Sequence, residues 1–166
     1  MTDWKLRPWT MADLGSLVKY ADNFNVSRYL TGFFPHPYTE NDGRIFIEMA
    51  MKAQPVQIFA IEVNGEAAGG IGVHPQHDIH CKSAELGYWL AEPFWGRGIV
   101  TAAVQQMVSY AFGNFDIVRL YARPFSNNKA SQRVLEKAGF ELEAIHRKSI
   151  FKNGELLDEL VYAIVH

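Results

Sequence analysis

Two apolar runs flank the dipeptide Asn64-Gly65, and this arrangement constrains the fold more than any other stretch of the chain. An Asn-Gly pair between such runs is the favoured sequence of a two-residue hairpin turn. The stretch VQIFAIEVNGEAAGGIGVH therefore predicts two adjacent antiparallel strands. A second turn dipeptide, Asn153-Gly154, lies between FELEAIHRKSI and LLDELVYAIVH and predicts another pair of strands near the end of the sequence.

Between these hairpins the pattern changes from strand to helix and back. SAELGYWLAE and DIVRLYAR are typical of strands, and a helical pattern from Gly98 to Phe112 separates them. A strand–helix–strand succession predicts a parallel pair with a right-handed crossover. The predicted fold class is therefore mixed α/β (α+β). We expect a single central, mostly antiparallel twisted sheet of about seven strands, with one parallel β-α-β unit and about four flanking helices.

The other predicted helices begin or end at capping residues. TMADLGSLVKYADNF has apolar residues at helical spacing after Thr10, and NNKASQRVLEKAGF ends at Gly139. Thr39 opens a further helix. The residues predicted to share one face of that helix are Ile45, Phe46, Met49 and Ala53.

Composition narrows the class of protein. The chain has 166 residues, of which 48% are hydrophobic, and we expect residues 1–166 to form a single domain with a sizeable core. A net charge of −2 argues against a nucleic-acid partner. The sequence shows no signal core and no apolar run long enough for a bilayer, and its single cysteine, Cys81, excludes an internal disulfide. We therefore expect a cytoplasmic protein without a membrane partner.

The stretch FWGRGIVTAA places Gly96, Arg97 and Gly98 directly before a helix. A helix N-terminus has N–H groups without internal partners and a partial positive charge, and glycine allows a ligand to approach the backbone closely. The pattern predicts a phosphate-binding turn, with a tight connection that binds no ligand as the alternative. A P-loop is excluded because Ile99 and Val100 stand where it needs lysine and serine or threonine.

A dinucleotide fingerprint fits poorly as well. Its third glycine would fall at Thr101, and Pro93-Phe94-Trp95 separate the predicted strand from the turn.

The turn resembles the pyrophosphate loop of the GNAT superfamily of acyl-CoA-dependent N-acetyltransferases, which has the pattern Q/R-x-x-G-x-G/A. Here it is WGRGIV, in which Gly98 matches, whereas Trp95 and Val100 depart from the first and last positions. NKASQRVLEKAGF is similar to a second signature, N-x-x-S-x-x-V-L-E-K-x-G-F, of the ribosomal-protein N-terminal acetyltransferase-like branch. SAELGYWLAEPFWGRG resembles the strand and loop of that branch. The resemblance covers nearly the whole chain.

The resemblance implies a GNAT-like sheet, splayed at the parallel pair, and acetyl-CoA as cosubstrate. It also implies transfer of the acetyl group to a primary amine: a protein N-terminus, a polyamine or a small molecule. The residues expected to bind the cosubstrate are Trp89, Leu90, Ala91, Gly96, Arg97, Gly98, Ile99, Val100, Thr101, Asn128 and Ser131. Asn128 could equally be a helix N-cap. A homodimer is possible, and a CoA-binding or sensing module with weak catalysis is the alternative function.

Many members of the superfamily carry a tyrosine that protonates the departing thiol at the position of Leu135. Leucine cannot donate a proton. We therefore expect either that Ser131 assists the thiolate or that the thiolate leaves unaided, since a thiol is a fairly good acid.

Glu85 is an acidic residue inside an apolar predicted strand, and strand alternation puts it on one face with Gly87 and Trp89. We expect it to act as the general base, directly or through a water. A salt-bridging or sheet-edge carboxylate is the alternative.

The stretch HPQHDIHC contains four possible metal ligands: His74, His77, His80 and Cys81. Their spacing matches no standard zinc motif, and the stretch lies between two predicted strands. We expect a solvated hairpin loop and no metal site.

Overall fold

The computed structural model describes residues 1–166 and contains seven strands and five α-helices. The strands are β1 (Trp4–Pro8), β2 (Ile58–Val63), β3 (Glu66–Pro75), β4 (Ser83–Leu90), β5 (Arg119–Ala122), β6 (Glu141–Lys152) and β7 (Glu155–Val165). The helices are α1 (Leu14–Ala21), α2 (Phe24–Ser27), α3 (Glu40–Ala50), α4 (Ile99–Asn114) and α5 (Lys129–Lys137). The predicted class is confirmed, and the four-residue α2 is the helix that the sequence pattern did not predict.

The strands form one sheet in the order β1-β2-β3-β4-β5-β7-β6. The β4–β5 pair is parallel, whereas the β1–β2, β2–β3, β5–β7 and β6–β7 pairs are antiparallel. The predicted β-α-β unit is therefore β4, α4 and β5. None of the five helices is both long and apolar enough to cross a bilayer.

Both hairpin turns have the predicted conformation. The φ angles of Asn64 and Gly65 are 51° and 87°, and those of Asn153 and Gly154 are 51° and 79°. Positive φ at both central residues is typical of a turn whose twist matches that of the flanking strands. These turns set the pairing of β2 with β3 and of β6 with β7.

The N-terminus of α3 is capped as predicted, but its buried face differs from the prediction. Thr39 forms a capping box with Asp42. The buried residues of α3 are Gly43, Ile47 and Ala50. Ile45 and Met49 are exposed, Phe46 is partly buried, and α3 ends before Ala53. A Cβ at Gly43 would lie 2.9 Å from Leu14 Cδ1, so a glycine at this position leaves room for α1.

Contacts within the chain group it into two compact units. The first unit comprises Met1–Gly72 and Tyr88–Ala103, and the second comprises Val73–Gly87 and Val104–His166. Buried residues of the first unit include Trp9, Leu17, Tyr38, Ile47 and Ala60, and those of the second include Val73, Leu86, Met107, Leu120, Leu135 and Phe140.

Candidate active site

The glycine turn of the first unit has a backbone conformation that most other residues rarely adopt. Gly96 and Gly98 have φ angles of 74° and 76°, which strongly favour glycine. A Cβ on either residue would meet nothing within 4 Å, so the space beside the turn is open. The carbonyl of Gly98 accepts the N–H of Ala102 at 3.1 Å, which makes Gly98 the last residue before α4. The first N–H groups of α4 have no partner inside the helix.

Arg97 lies between these glycines, but its charge is held against the preceding turn. Its Nη2 donates to the carbonyl of Pro93 at 3.0 Å, and its Nη1 donates to Thr2 Oγ1 at 3.3 Å. Its guanidinium also lies 5.5 Å from the centroid of the Phe94 ring. Arg97 therefore adds positive charge near the start of α4 while helping to fix the turn.

Trp95 departs from the family pattern, and the structure shows what the indole does there. Its Nε1 donates to the carbonyl of Leu90 at 2.7 Å, which ties the turn to the end of β4. The N–H of Ala91 donates to the carbonyl of Ala68 at 2.8 Å. Two of the backbone groups expected to hold the cosubstrate are thus already hydrogen-bonded within the first unit.

The side chain of Trp89 belongs to the core of the first unit. Its ring packs against Phe34 with centroids 5.4 Å apart. A Cβ at Gly69 would lie 2.5 Å from the carbonyl oxygen of Trp89, and one at Gly70 would lie 2.9 Å from its Nε1. These two glycines therefore permit the close approach of β3 to the end of β4.

The ladder between β4 and β5 is short. It joins Ser83 to Arg119, Ala84 to Leu120 and Glu85 to Tyr121, and it ends there. β4 nevertheless continues to Leu90. The ladder therefore covers most of the four-residue β5 but only the first three residues of β4.

Glu85 lies at the end of this ladder, in the second unit, and it forms an ion pair. Arg123 Nε donates to Glu85 Oε1 at 3.0 Å, and Arg123 Nη2 donates to Oε2 at 2.9 Å. The hydrogen bond with Glu85 is the main cause that raises the pKa of Arg123 above its usual value. The salt-bridging alternative considered for Glu85 is thus present in the structure.

The ion pair extends towards β7 and β6. Arg123 Nη1 lies 3.7 Å from Glu159 Oε1, and the same oxygen lies 3.3 Å from His146 Nδ1. Sequence reasoning did not single out Arg123 or Glu159. No sequence pattern could have connected them with Glu85, because their proximity depends on the order of β4, β5 and β7 in the sheet.

Asn128 and Ser131 begin α5 in the second unit. Asn128 Oδ1 accepts the N–H of Ser131 at 3.2 Å, so Asn128 is the N-cap of α5. Ser131 is half-buried. Leu135, one turn further on, is fully buried in the core.

The histidine-rich stretch is only partly a loop. β3 extends through Pro75, so His74 belongs to a strand, which corrects the expectation of a solvated loop at that position. His77, His80 and Cys81 are exposed in the turn that follows. Nowhere in residues 1–166 do three His, Cys, Asp or Glu side chains come together in a way that could hold a metal ion.

Residues 4–141 match the family model described as an acetyltransferase (GNAT) domain. This match covers well over half of the chain, and the chain therefore belongs to the GNAT acetyltransferase family.

Individual relatives agree with this membership. The spermidine N(1)-acetyltransferase of Escherichia coli is 26% identical over 157 residues, which cover 91% of this chain and 80% of that protein. A solved structure of RimL, a ribosomal L7/L12 alpha-N-protein acetyltransferase in complex with coenzyme A, superposes with a TM-score of 0.84 at 23% identity, covering 99% of this chain and 95% of that one. The microcin C7 self immunity acetyltransferase MccE, in complex with acetyl-CoA and AMP, gives a TM-score of 0.83 at 25% identity over 99% and 93% of the two chains. The predicted resemblance to the superfamily is confirmed, and the fold matches that of RimL.

The chain spans about half the length of the first curated relatives that it matches. Three proteins of Bacillus subtilis named as N-acetyltransferases are 36%, 33% and 42% identical to it over 100, 102 and 85 residues. Those alignments cover 56%, 55% and 47% of the relatives.

Proposed function

We propose that this chain is an acetyl-CoA-dependent N-acetyltransferase, an acyltransferase that moves an acetyl group to a primary amine by direct attack in a ternary complex. The observation that carries the proposal is the positive-φ glycine turn that precedes α4. Membership of the GNAT family and the acetyl-CoA bound to MccE support the choice of cosubstrate.

The residues of the turn fit a pyrophosphate. The open space beside Gly96 and Gly98 would admit an anion, and the first N–H groups of α4, from Ile99, Val100 and Thr101, would bind it. The backbone of Trp89–Ala91, together with Asn128 and Ser131, would hold the arm that carries the thioester. Acetyl-CoA supplies the acetyl group in activated form.

The chain's own residues must manage two protons. An amine with a pKa near 10.4 is almost entirely ammonium at pH 7, so it must lose a proton before it attacks. Glu85 provides negative charge for this step, directly or through an intervening group. Ser131 would orient the thioester or assist the departing thiolate, because Leu135 has no proton to donate.

The acceptor is a protein N-terminus, a polyamine or a small-molecule amine. Spermidine and the ribosomal L7/L12 proteins, which appear in the names of similar proteins, illustrate the first two classes. The proposal treats residues 1–166 as one N-acetyltransferase domain, acting in the cytoplasm without a metal, nucleic-acid or membrane partner. The exposed thiol of Cys81 suits a reducing compartment. Sedimentation analysis would measure whether the chain forms a homodimer.

An acceptor screen tests the proposal. Purified protein is incubated with acetyl-CoA and a panel of polyamines, aminoglycosides and peptides with free N-termini, and release of free thiol is followed. We expect amine-dependent thiol release, with mass spectrometry showing an added acetyl group on the acceptor. Thiol release that no amine accelerates would contradict the proposed activity.

A catalytically weak CoA-binding or sensing module is the second candidate. Two observations favour it: both oxygens of Glu85 are hydrogen-bonded to Arg123, and Leu135 is buried where a proton donor often stands. Tight binding of CoA by calorimetry, without turnover of any amine, would support the module over the enzyme.

A further inference from the structure

Gly87 leaves an opening in the middle of the sheet. It belongs to β4, which is flanked by β3 and β5, yet it is exposed to solvent. A Cβ at Gly87 would have one neighbouring side-chain atom within 4 Å, His74 Nε2 at 3.9 Å. Because residues two apart in a strand share a face, Glu85 lies on the same face as this opening. A small, solvent-accessible space thus lies above Gly87, with His74 and Glu85 at its border.

Two titratable groups border this space, and they differ in their hydrogen bonds. Glu85 is bonded to Arg123, whereas the ring of His74 makes no hydrogen bond with any residue of the chain. Its side chain is exposed, so a substrate can reach it. Desolvation by the neighbouring residues lowers the pKa of His74 below the usual value for histidine, and the negative charge of Glu85 opposes this shift only in part. The imidazole is therefore neutral near pH 7 and has a lone pair available.

We propose that His74 is a catalytic residue of this acetyltransferase and that its Nε2 takes the proton from the acceptor ammonium in the space above Gly87. This inference rests on the proposed function. The ring is accessible and free of hydrogen bonds, whereas each oxygen of Glu85 already accepts a hydrogen bond from Arg123. The carboxylate of Glu85 then stabilises the imidazolium ion that forms.

The other charged groups on this part of the sheet agree with that division of roles. Tyr121 lies opposite Glu85, and burial together with the charge of Glu85 raises its pKa, so it stays neutral. Arg123 is held between Glu85 and Glu159, and His146 contacts Glu159. Glu85, Arg123 and Glu159 together carry a formal net charge of −1, which attracts an ammonium group.

The proton and electron balance of the step is complete. The ammonium gives one proton to His74, and the lone pair of the neutral nitrogen forms the new C–N bond. The C–S bond breaks, the sulfur keeps the electron pair, and the second proton released by the nitrogen converts the thiolate to a thiol. The imidazolium then returns its proton to solvent.

The test compares His74→Gln with His77→Gln, a matched control in the exposed turn that follows β3. Steady-state rates are measured from pH 5.5 to 9.5 with the best acceptor from the screen, and CoA affinity is measured by calorimetry. We expect His74→Gln to lose at least tenfold in kcat/KM at pH 7, within the roughly 10²–10⁴-fold range of general base catalysis. It should keep its CoA affinity and lose the acidic limb of the pH profile, whereas His77→Gln should match the wild type.

A second measurement uses the wild-type protein and does not depend on the folding of a variant. The imidazole C–H signals of the six histidines are titrated by NMR, with His74 assigned through its loss in the variant or by isotope-edited spectra. We expect His74 to titrate below about 6.5, the usual value. We also expect its signal to shift when the acceptor is added to the protein saturated with CoA.

The outcomes separate the two proposals. A wild-type protein that acetylates no amine refutes the proposed function. An active wild type with a folded His74→Gln variant of equal kcat/KM and equal pH profile overturns the role of His74 alone. A His74 signal that the acceptor does not move overturns it as well. Restored turnover of His74→Gly on addition of imidazole would support it, since a purely structural role gives no such rescue.

Discussion

Gly98 has a φ of 76°, and this backbone conformation is unfavourable for a β-branched residue. We expect Gly98→Val to weaken CoA binding by more than tenfold, which corresponds to about 1.4 kcal/mol. The valine would distort the turn and place methyl groups where the pyrophosphate is proposed to lie. Calorimetry with CoA measures the effect.

Gly113→Ala is the matched control, since Gly113 lies near the other end of α4 and a Cβ there would meet nothing within 4 Å. This variant should bind CoA as the wild type does. Unchanged CoA affinity in a folded Gly98→Val protein would rule out the turn as the pyrophosphate site.

Glu85→Gln tests the carboxylate of the site. We expect the variant to keep its fold and its CoA affinity but to lose kcat/KM, because the amide has no negative charge to stabilise a proton taken from the acceptor. The loss should be greatest near neutral pH and should shrink at alkaline pH, where more of the amine is already neutral. A pH–rate profile of both proteins measures this.

Two other results would contradict a catalytic role for Glu85. Parallel profiles of similar height would exclude it from proton transfer. A lower free energy of unfolding with kcat unchanged would make the ion pair with Arg123 purely structural.

The sequence predicted the residues whose role follows from the local backbone conformation. It did not predict residues whose role depends on contacts with residues far away in the chain. Gly96 and Gly98 were predicted because positive φ and the start of a helix follow from local chemistry. Arg123 and Glu159 lie 38 and 74 residues after Glu85, and only the strand order brings all three together. His74 was expected in a loop because the stretch HPQHDIHC lies between two predicted strands, whereas β3 extends through Pro75.

At the scale of elements, an ion-pair network joins β1 to β2 and to the turn before α1. Arg7 donates to both oxygens of Asp13, at 2.8 and 2.7 Å, and it also donates to Glu62. Asp13 is only 7% exposed. Burial disfavours the charged form of Asp13, but the hydrogen bonds from Arg7 and from the N–H of Thr10 outweigh it, so its pKa lies below the usual value. The network therefore depends on an ionised Asp13.

We expect Asp13→Asn to lower the free energy of unfolding by about 1–3 kcal/mol, the usual cost of leaving a buried hydrogen-bonding group without its partner. Urea unfolding measures the change. Glu40→Gln, which breaks the exposed pair with Arg44 on α3, should cost less than about 0.5 kcal/mol. Equal effects of the two variants would contradict a stabilising role for the Arg7 network.

Helices and strands that begin or end at a turn or capping residue were predicted correctly. The buried face of a helix was predicted less well, because it depends on tertiary packing. The two Asn-Gly hairpins and the Thr39 cap were located correctly. The buried face of α3 was predicted incorrectly. Their hydrophobicity favoured Ile45 and Met49 as buried residues, whereas α1 packs against the small residue Gly43. Two helices can approach closely only where their side chains are small. The pattern of hydrophobic residues does not indicate such positions.

For the whole molecule, the pKa shifts predict a loss of stability in acid. The carboxyl groups whose pKa values are lowered are Asp13, Asp42, Glu62 and Glu66. A carboxyl group whose pKa is lowered in the folded state stabilises the protein at pH values above its pKa in the unfolded chain, which is near 4. This contribution is lost as the pH falls through the pKa of the folded state. The free energy of unfolding should therefore decline below about pH 4.

His74 adds an earlier step to this decline. Its lowered pKa means that the unfolded chain binds a proton first, so stability begins to fall below about pH 6.5. Urea unfolding from pH 3 to 8 should show both steps in the wild type and only the more acidic one in His74→Gln. A wild-type stability that is flat from pH 7 down to 5 would contradict the shift at His74.

The short ladder between β4 and β5 also bears on how the protein avoids aggregation. An unsatisfied strand edge is normally a hazard, because a strand of another molecule can add to it. Here the backbone of β4 beyond Glu85 leaves the ladder in the interior of the sheet, between β3 and β5, and not at its rim. The β5 side of β4 therefore lies inside the sheet and does not form an outer edge to which a strand of another molecule could add.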